Sequence, residues 1–262
     1  MTAVREASPR PAPPRAAEPA LRRALVDAAS ARYRPAGRFA YHFARGKLGL
    51  DPLFIDLLRL GALPARGRFL DLGCGQAVFA AWLLAARARF DAGQWPAGWP
   101  APPLLEQLHG LELMPRDVAR AQAAFVAEPR VQVAQGDICA TPFEPVDAIT
   151  ILDVLHYFDA ARQHDVLRRA RAALGPGGVL VARVGDAARG LRFDLSRWVD
   201  QAVTLVRGHG FSSLHCRSAA DWAAALAALG FDVRIVPTEG GPPFANTLLI
   251  ARVPAAGEGH AS

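Results

Sequence analysis

The segment Asp71-Leu72-Gly73-Cys74-Gly75 sets an acid two residues ahead of two closely spaced glycines, at the end of the apolar run Phe69-Leu70. Paired glycines let the backbone pass beneath a ligand without a Cβ in the way. An acid at that point suits a cationic amino acid moiety, met directly or through water, and is poorly placed beneath a pyrophosphate. Cys74 fits between the glycines as a small residue. A second acid, Glu112 of Leu111-Glu112-Leu113, is suited to accept both hydroxyl protons of a ribose. In Gln135-Gly136-Asp137-Ile138, Asp137 is offered to the exocyclic amine of an adenine and Ile138 to its face. The last cluster, Leu152-Asp153-Val154-Leu155-His156-Tyr157, is where a bound cofactor and a substrate are expected to meet. Leu113, Leu152 and Asp153 join the candidate cofactor contacts, although Asp153 can equally cap the next segment. His156, given an ordinary pKa near ~6.5, can accept a phenol or hydroxyl proton around neutral pH; the alternative is a ring packed against the sheet with one hydrogen bond. Tyr157 is a candidate substrate contact.

These residues act together only if a parallel sheet brings its strand ends to one edge, and the chain alternates in that manner. Strands are predicted over 68–72, 107–113, 131–135, 148–152 and 179–184. Helices are predicted between them over 77–88, 116–127 and 160–174, the last stopped by Gly175-Pro176-Gly177-Gly178. Apolar residues at helical spacing give a helix over 20–32, and another over 51–60 starts with Pro52 at its first position. Downstream come helices over 193–206 and 219–229 and strands over 231–236 and 247–253. Residues 91–103, with Trp95, Trp99 and four prolines, break the pattern. They read as a packed surface loop or as a cover over a substrate pocket. Gly75 and Glu112 are farther apart than the ~20 residues of a compact unit, and this excursion accounts for most of the excess. The expected organisation is a disordered tail over 1–19, amino-terminal helices over 20–66 as a candidate substrate cap, a core over 67–255, and a flexible tail over 256–262.

Taken in order, LDLGCG, the acid ending the second strand, GDI, LDVLHY and ALGPGGVLV make residues 68 to 184 resemble the class I S-adenosylmethionine-dependent methyltransferases, particularly the small-molecule branch called type 11 or type 12. The resemblance implies an α/β, Rossmann-like, seven-stranded, mostly parallel sheet with an antiparallel last strand. It also implies S-adenosyl-L-methionine as cofactor, its sulfonium supplying the methyl group. Asp71, Gly73, Cys74, Gly75, Glu112, Leu113, Asp137, Ile138, Leu152 and Asp153 then become cofactor contacts, and His156 the candidate base. Outside that interval, YHFARGKLGLDP and PPFANTLLIAR are similar to a bacterial subgroup found with aryl-polyene pigment genes. Amino-group methyltransferases acting on nucleobases carry an Asp/Asn/Ser-Pro-Pro-aromatic motif after the fourth strand, and residues 152–155 lack it. The expected acceptor is therefore an oxygen or carbon of a small molecule, either carboxylated or tethered to an acyl carrier protein. Arg38, His42, Arg45 and Lys47 form a compact basic segment for such an acidic acceptor, with Arg45 and Lys47 as its contacts; the alternative is a solvated helix face.

Composition narrows the classes further. Hydrophobic residues make up 52% of 262 residues, yet none of the apolar runs approaches the ~20 residues that span a bilayer. With no secretory leader pattern, a cytoplasmic location is expected. Cys74, Cys139 and Cys216 match neither a CxxC metal pattern nor a disulfide framework, and the expected chemistry needs no metal. The net charge of +6 comes from dispersed arginines, with Lys47 the sole lysine. Nucleic acid is not an expected partner, because its binders concentrate basic residues on one face. Two other classes stay open. A nicotinamide-dependent oxidoreductase uses a similar glycine turn and ribose acid, but here Val78 stands at the third glycine of G-x-G-x-x-G. A methyltransferase-like protein that binds without turnover is the other.

Overall fold

The computed structural model describes residues 18–185, 217–237 and 246–255. Strands buried on both faces are apolar along most of their length, and the carboxyl halves of the two central strands, β1 (Arg66–Leu72) and β4 (Val146–Leu152), are buried in this way, with Asp71 and Thr150 as the polar exceptions. Around them lie β2 (Leu104–Glu112), β3 (Val131–Gln135), β5 (Leu174–Gly185), β6 (Asp232–Pro237) and β7 (Asn246–Arg252). The described residues form one seven-stranded sheet in the order β3-β2-β1-β4-β5-β7-β6. β1 to β5 pair in parallel, whereas β7 runs antiparallel to both β5 and β6. The strand order reverses between β1 and β4, where open α/β sheets leave a crevice at the carboxyl ends of the strands. All four sequence clusters fall on that edge.

Helices cover both faces. On one lie α1 (Glu18–Ala31), α2 (Arg38–Leu50), α3 (Leu53–Arg59), α4 (Val78–Asp91) and α5 (Pro115–Ala124). On the other lie α6 (Ala160–Ala173) and α7 (Ala219–Ala228). Every residue of α4 from Val78 to Ala86 is buried, because the helix is sandwiched between the sheet and the amino-terminal helices. Its alanines admit α1 and α2 at close range, and Trp82 donates its indole N–H to the Phe54 carbonyl of α3 at 2.8 Å.

The predicted strands and crossover helices are all present, with ends moved by a few residues. α1 opens at Glu18, inside the segment expected to be tail. The helix expected from residue 51 starts at Leu53, with Pro52 as its cap. α2 was expected only as the helix face named as the alternative for the basic segment, without bounds of its own. The predicted helix over 193–206, Cys216 and the tail over 256–262 lie outside the described residues. Among the described residues no helix is long and apolar enough to cross a membrane.

The Trp/Pro excursion is a packed loop. Trp95 donates to the Pro100 carbonyl at 2.9 Å and meets Trp99 edge to face at 6.1 Å, with Trp99 buried in the core. It leads into β2 at the amino ends of the strands, opposite the crevice. The pocket-cover alternative is corrected on that ground.

Candidate functional site

The glycine turn is docked on the end of β2. Gly73 and Cys74 donate their N–H groups to the Leu111 carbonyl at 2.8 and 3.1 Å. Gly75 donates to Glu112 Oε2 and Met114 to Oε1, both at 2.9 Å. Glu112 is thus fixed by one backbone donor on each oxygen, and each oxygen keeps lone-pair capacity for another. Burial raises its pKa, against the Met114 and Gly75 N–H groups, which lower it. The turn needs left-handed backbone at Gly73 (φ 71°) and Gly75 (φ 56°). A Cβ at Gly75 would meet nothing within 4 Å, so that side of the turn is open. Beside it Leu113 leaves 46% of its surface exposed, an apolar face next to a carboxylate.

Beneath the turn, the placement of Asp71 corrects its expected role. The residue is 3% exposed and accepts from Thr150 Oγ1 of β4 at 2.6 Å. It points across the sheet, so direct contact with a ligand cation is replaced by action at a distance. Burial pushes its carboxyl up to about 7, the Thr150 hydroxyl opposing and the Glu112 charge adding. Cys74 is buried against Gly110, where any Cβ would meet its sulfur; burial and the charges of Asp71 and Glu112 raise its pKa. Its side chain is core, and only its backbone belongs to the turn.

Tyr33, following α1, escaped the sequence reading. Its hydroxyl, fully buried, donates to the Gln76 carbonyl at 2.7 Å, and Gln76 Nε2 donates to Asp117 Oδ1 of α5 at 3.0 Å. The amino-terminal helices therefore brace the turn from behind. A tyrosine amid alanines was the one available signal.

After β3, Asp137 is exposed and its Oδ1 accepts from Cys139 N at 2.8 Å, while Ile138 is buried in the core. Arg169 of α6 holds this loop by donating to the Ile138 and Thr141 carbonyls at 2.6 and 2.8 Å. The expectation that Ile138 presents a ring-binding face is corrected, since its side chain packs inward; Leu113 is the exposed apolar surface nearby in the chain.

After β4, Leu152 packs half-buried against the core and Asp153 adopts φ 62°. Asp153 does not cap the next segment: the 3-10 turn that follows has no side-chain cap, and Asp159 caps α6. Its carboxylate is held by Arg183 of β5, at 2.6 Å from Nε to Oδ1 and by a short contact to Oδ2 from Nη2, and by Lys47 Nζ at 3.4 Å. Burial alone would raise its pKa, but Arg183 and Lys47 hold it below the usual range. Of the basic segment, Arg38, His42 and Arg45 share one exposed face of α2, and Lys47 does not. Residues two apart on a helix point to opposite sides, so Arg45 turns to Asp27 at 2.5 Å while Lys47 turns inward to Asp51 at 3.0 Å. The joint acceptor contact expected of Arg45 and Lys47 is corrected accordingly.

His156 lies in a 3-10 turn, Leu155–Tyr157, 8% exposed, and among the described residues its Nε2 has no hydrogen-bond partner. Burial lowers its pKa, Asp153 opposing. Its ring is 4.2 Å from that of Tyr157, which is partly exposed and whose hydroxyl is pushed up to about 12 by burial and the Asp153 charge. Gln163 of α6, also unforeseen, secures this turn by donating to the Leu155 and Phe158 carbonyls at 3.1 and 2.9 Å. No cluster of three metal-ligating side chains occurs among the described residues.

A doubly wound sheet with a glycine turn, a clamped strand-end carboxylate and an exposed leucine at its reversal point defines an α/β protein with a crevice suited to a nucleoside-bearing ligand. Residues 49–235 match the profile of the methyltransferase domain, and the chain belongs to that family. Over 74 residues it is 39% identical to a mouse (Mus musculus) protein named acetylserotonin O-methyltransferase, a match taking in 26% of this chain and 19% of that one. Its fold is similar to that of an O-methyltransferase family protein from Burkholderia thailandensis, with TM-score 0.56 and 20% identity, covering 85% of this chain and 62% of that one. It is likewise similar to the N-methyltransferase NodS of Bradyrhizobium japonicum, solved with S-adenosyl-L-homocysteine, with TM-score 0.56, 19% identity and coverage of 87% and 98%. The chain thus spans under two thirds of the first two of these relatives.

Proposed function

We infer that this chain transfers a methyl group from S-adenosyl-L-methionine to an oxygen or carbon of a small-molecule acceptor. The observation that carries the reading is Glu112, clamped by Gly75 and Met114 at the open side of the glycine turn. A carboxylate so fixed presents acceptors for two ribose hydroxyls without reorganising. Leu113 supplies an apolar face for adenine, and Asp137 an exposed carboxylate for its amine. Glu112, joined by Asp71 where that carboxyl ionises above about pH 7, biases the crevice toward a cationic ligand. The bound cofactor supplies an electrophilic methyl on its sulfonium, so the protein mainly aligns the acceptor and excludes water. His156 stays neutral around neutral pH because burial lowers its pKa, and its Nε2, shielded from solvent and unpartnered among the described residues, takes the acceptor's proton once the bound acceptor reaches it. Tyr157 offers a partly exposed ring beside it. The names of the mouse relative and of the Burkholderia structure favour oxygen.

A nicotinamide dinucleotide fits these residues poorly. The Gly75 N–H that would face a pyrophosphate is taken by Glu112, two carboxylates flank the turn, and Val78 replaces the third glycine. A carrier-tethered acceptor has only the exposed face of Arg38, His42 and Arg45 to recommend it, because Lys47 turns away from that face to Asp51.

Calorimetric titration with S-adenosylhomocysteine and NAD separates the two cofactor classes, and tighter NAD binding overturns the reading. Incubation with methyl-labelled S-adenosylmethionine and a cell extract then identifies the acceptor by mass spectrometry. The expected product is a labelled small molecule. Cofactor binding with no label transferred would favour a binding protein without turnover.

A further inference from the structure

Lys47, Asp51, Asp153 and Arg183 close a ring of alternating charge between the amino-terminal helices and the ends of β4 and β5. Arg183, 4% exposed, holds both oxygens of Asp153 and reaches Asp51 Oδ1 with Nη1 at 2.7 Å. Lys47 Nζ bridges Asp51 at 3.0 Å and Asp153 at 3.4 Å. The backbone repeats the link, Asp153 N–H donating to the Arg183 carbonyl at 3.2 Å. A partly buried ring of this kind is a weak source of stability, because desolvation of Arg183 and Asp51 offsets the attraction and solvent screens Lys47 and Asp153. Two cations against two anions also leave little net charge with which to attract a ligand. What the ring does constrain is conformation. Asp153 sits in the left-handed region at φ 62°, which costs a residue with a Cβ about 1–2 kcal/mol and which aspartate tolerates better than alanine does. The next side chain, Val154, lies so close against Gly73 that a Cβ on the glycine would collide with it. His156 follows in the same turn.

We propose that Arg183, Asp51 and Lys47 are positioning residues that hold Asp153 in its left-handed conformation, so that Val154 locks the glycine turn and the segment bearing His156 faces the cofactor, resting on the reading that this turn binds S-adenosylmethionine. Through the ring, α2 and the start of α3 act on the cofactor loop without touching the ligand. The arrangement joins the acceptor side of the crevice to the cofactor side, so loosening the ring loosens the turn.

Asp153→Ala and Asp153→Gly both delete the carboxylate, but only glycine takes left-handed backbone freely. Full-length variants are titrated with S-adenosylhomocysteine by calorimetry, with melting temperature measured alongside. Asp153→Ala should weaken binding about tenfold, the equilibrium equivalent of the left-handed penalty. Asp153→Gly should stay within about threefold of the unaltered protein. Both should melt lower, since both lose the ring. Arg183→Met should weaken binding as Asp153→Ala does, and adding Asp153→Gly should restore it. Equal affinities for the alanine and glycine variants, or an Arg183→Met protein that binds like the unaltered one, would show a merely structural ring and overturn the proposal. Should Arg183→Met fail to fold, the alanine and glycine pair decides alone. Absence of binding by the unaltered protein overturns the cofactor reading and takes this proposal with it, an outcome distinct from all the others.

Discussion

Alanine at Gly73 and at Gly75 makes the same demand on the backbone and different demands on packing. Both glycines have positive φ, 71° and 56°, so an added Cβ costs about 1–2 kcal/mol at either. At position 73 the new Cβ would also lie 3.2 Å from Val154 Cγ1 and closer still to Cγ2, an overpacking that adds about 1–3 kcal/mol. Gly73→Ala should therefore lose about 2–5 kcal/mol of unfolding free energy in urea, against about 1–2 kcal/mol for Gly75→Ala. The order reverses for ligand. A Cβ at 75 meets no protein atom within 4 Å and projects into the side left open beside Glu112. Gly75→Ala should then weaken S-adenosylhomocysteine binding by about tenfold or more while remaining more stable than Gly73→Ala. Calorimetry and urea titration of the same preparations measure both. If Gly75→Ala binds normally, the ligand lies elsewhere; if the two variants are equally stable, Val154 yields freely and the interlock is not tight.

Glu112→Ala should weaken S-adenosylhomocysteine binding by about 1–3 kcal/mol through lost charged hydrogen bonds, and unchanged affinity in a folded variant removes Glu112 from the site. His156→Ala should slow turnover about 10²–10⁴-fold. It should also abolish an acidic limb lying below the ordinary imidazole pKa, since burial shifts His156 downward; wild-type turnover with the same pH profile would make His156 a packing residue. Asp71 is raised from 3.8 to about 7, so between those values the folded state keeps a proton that the unfolded state has lost, and stability falls as pH rises through the window. Asp71→Asn, still able to accept from Thr150, should gain up to about 4 kcal/mol at pH 8 and nothing at pH 4. A urea-measured gain independent of pH would contradict a buried titrating carboxyl.

Features that depend on neighbours in sequence were legible before the fold was known. The apolar run into Gly73 and Gly75 announced a strand, a turn and a helix, and Glu112 could be placed at a strand end by the same local pattern. Side-chain direction was not legible. Asp71 and Thr150 face each other only because β1 and β4, distant in sequence, are sheet neighbours in register. Arg183 and Asp51 lie 132 positions apart, and nothing local to either announces the partner. α2 received no bounds of its own because its buried stripe is Ala40, Ala44 and Leu48, correctly spaced but mostly alanine, with Gly46 and Gly49 diluting the signal. Arg45 and Lys47 looked like one patch in a linear reading and are separated by helical rotation. Ile138 was assigned to a ligand face because its segment was recognisable, while its inward turn is set by Arg169 of α6.

The placement of β7 has a consequence for synthesis. The sheet does not grow outward strand by strand: β7 enters between β5 and β6, which have no direct pairing with each other. While the chain is being made, β5 leaves the ribosome with one edge paired to β4 and the other bare, and β6 emerges with nowhere to dock. Roughly 60 residues separate the end of β5 from the start of β7, so at about 5–20 residues per second that edge stays open for several seconds. The nascent sheet is then a five-stranded platform with a sticky rim. The rim is the backbone of β5 from Val179 to Gly185, whose free N–H and C=O groups stay open to pairing with another chain until β7 arrives.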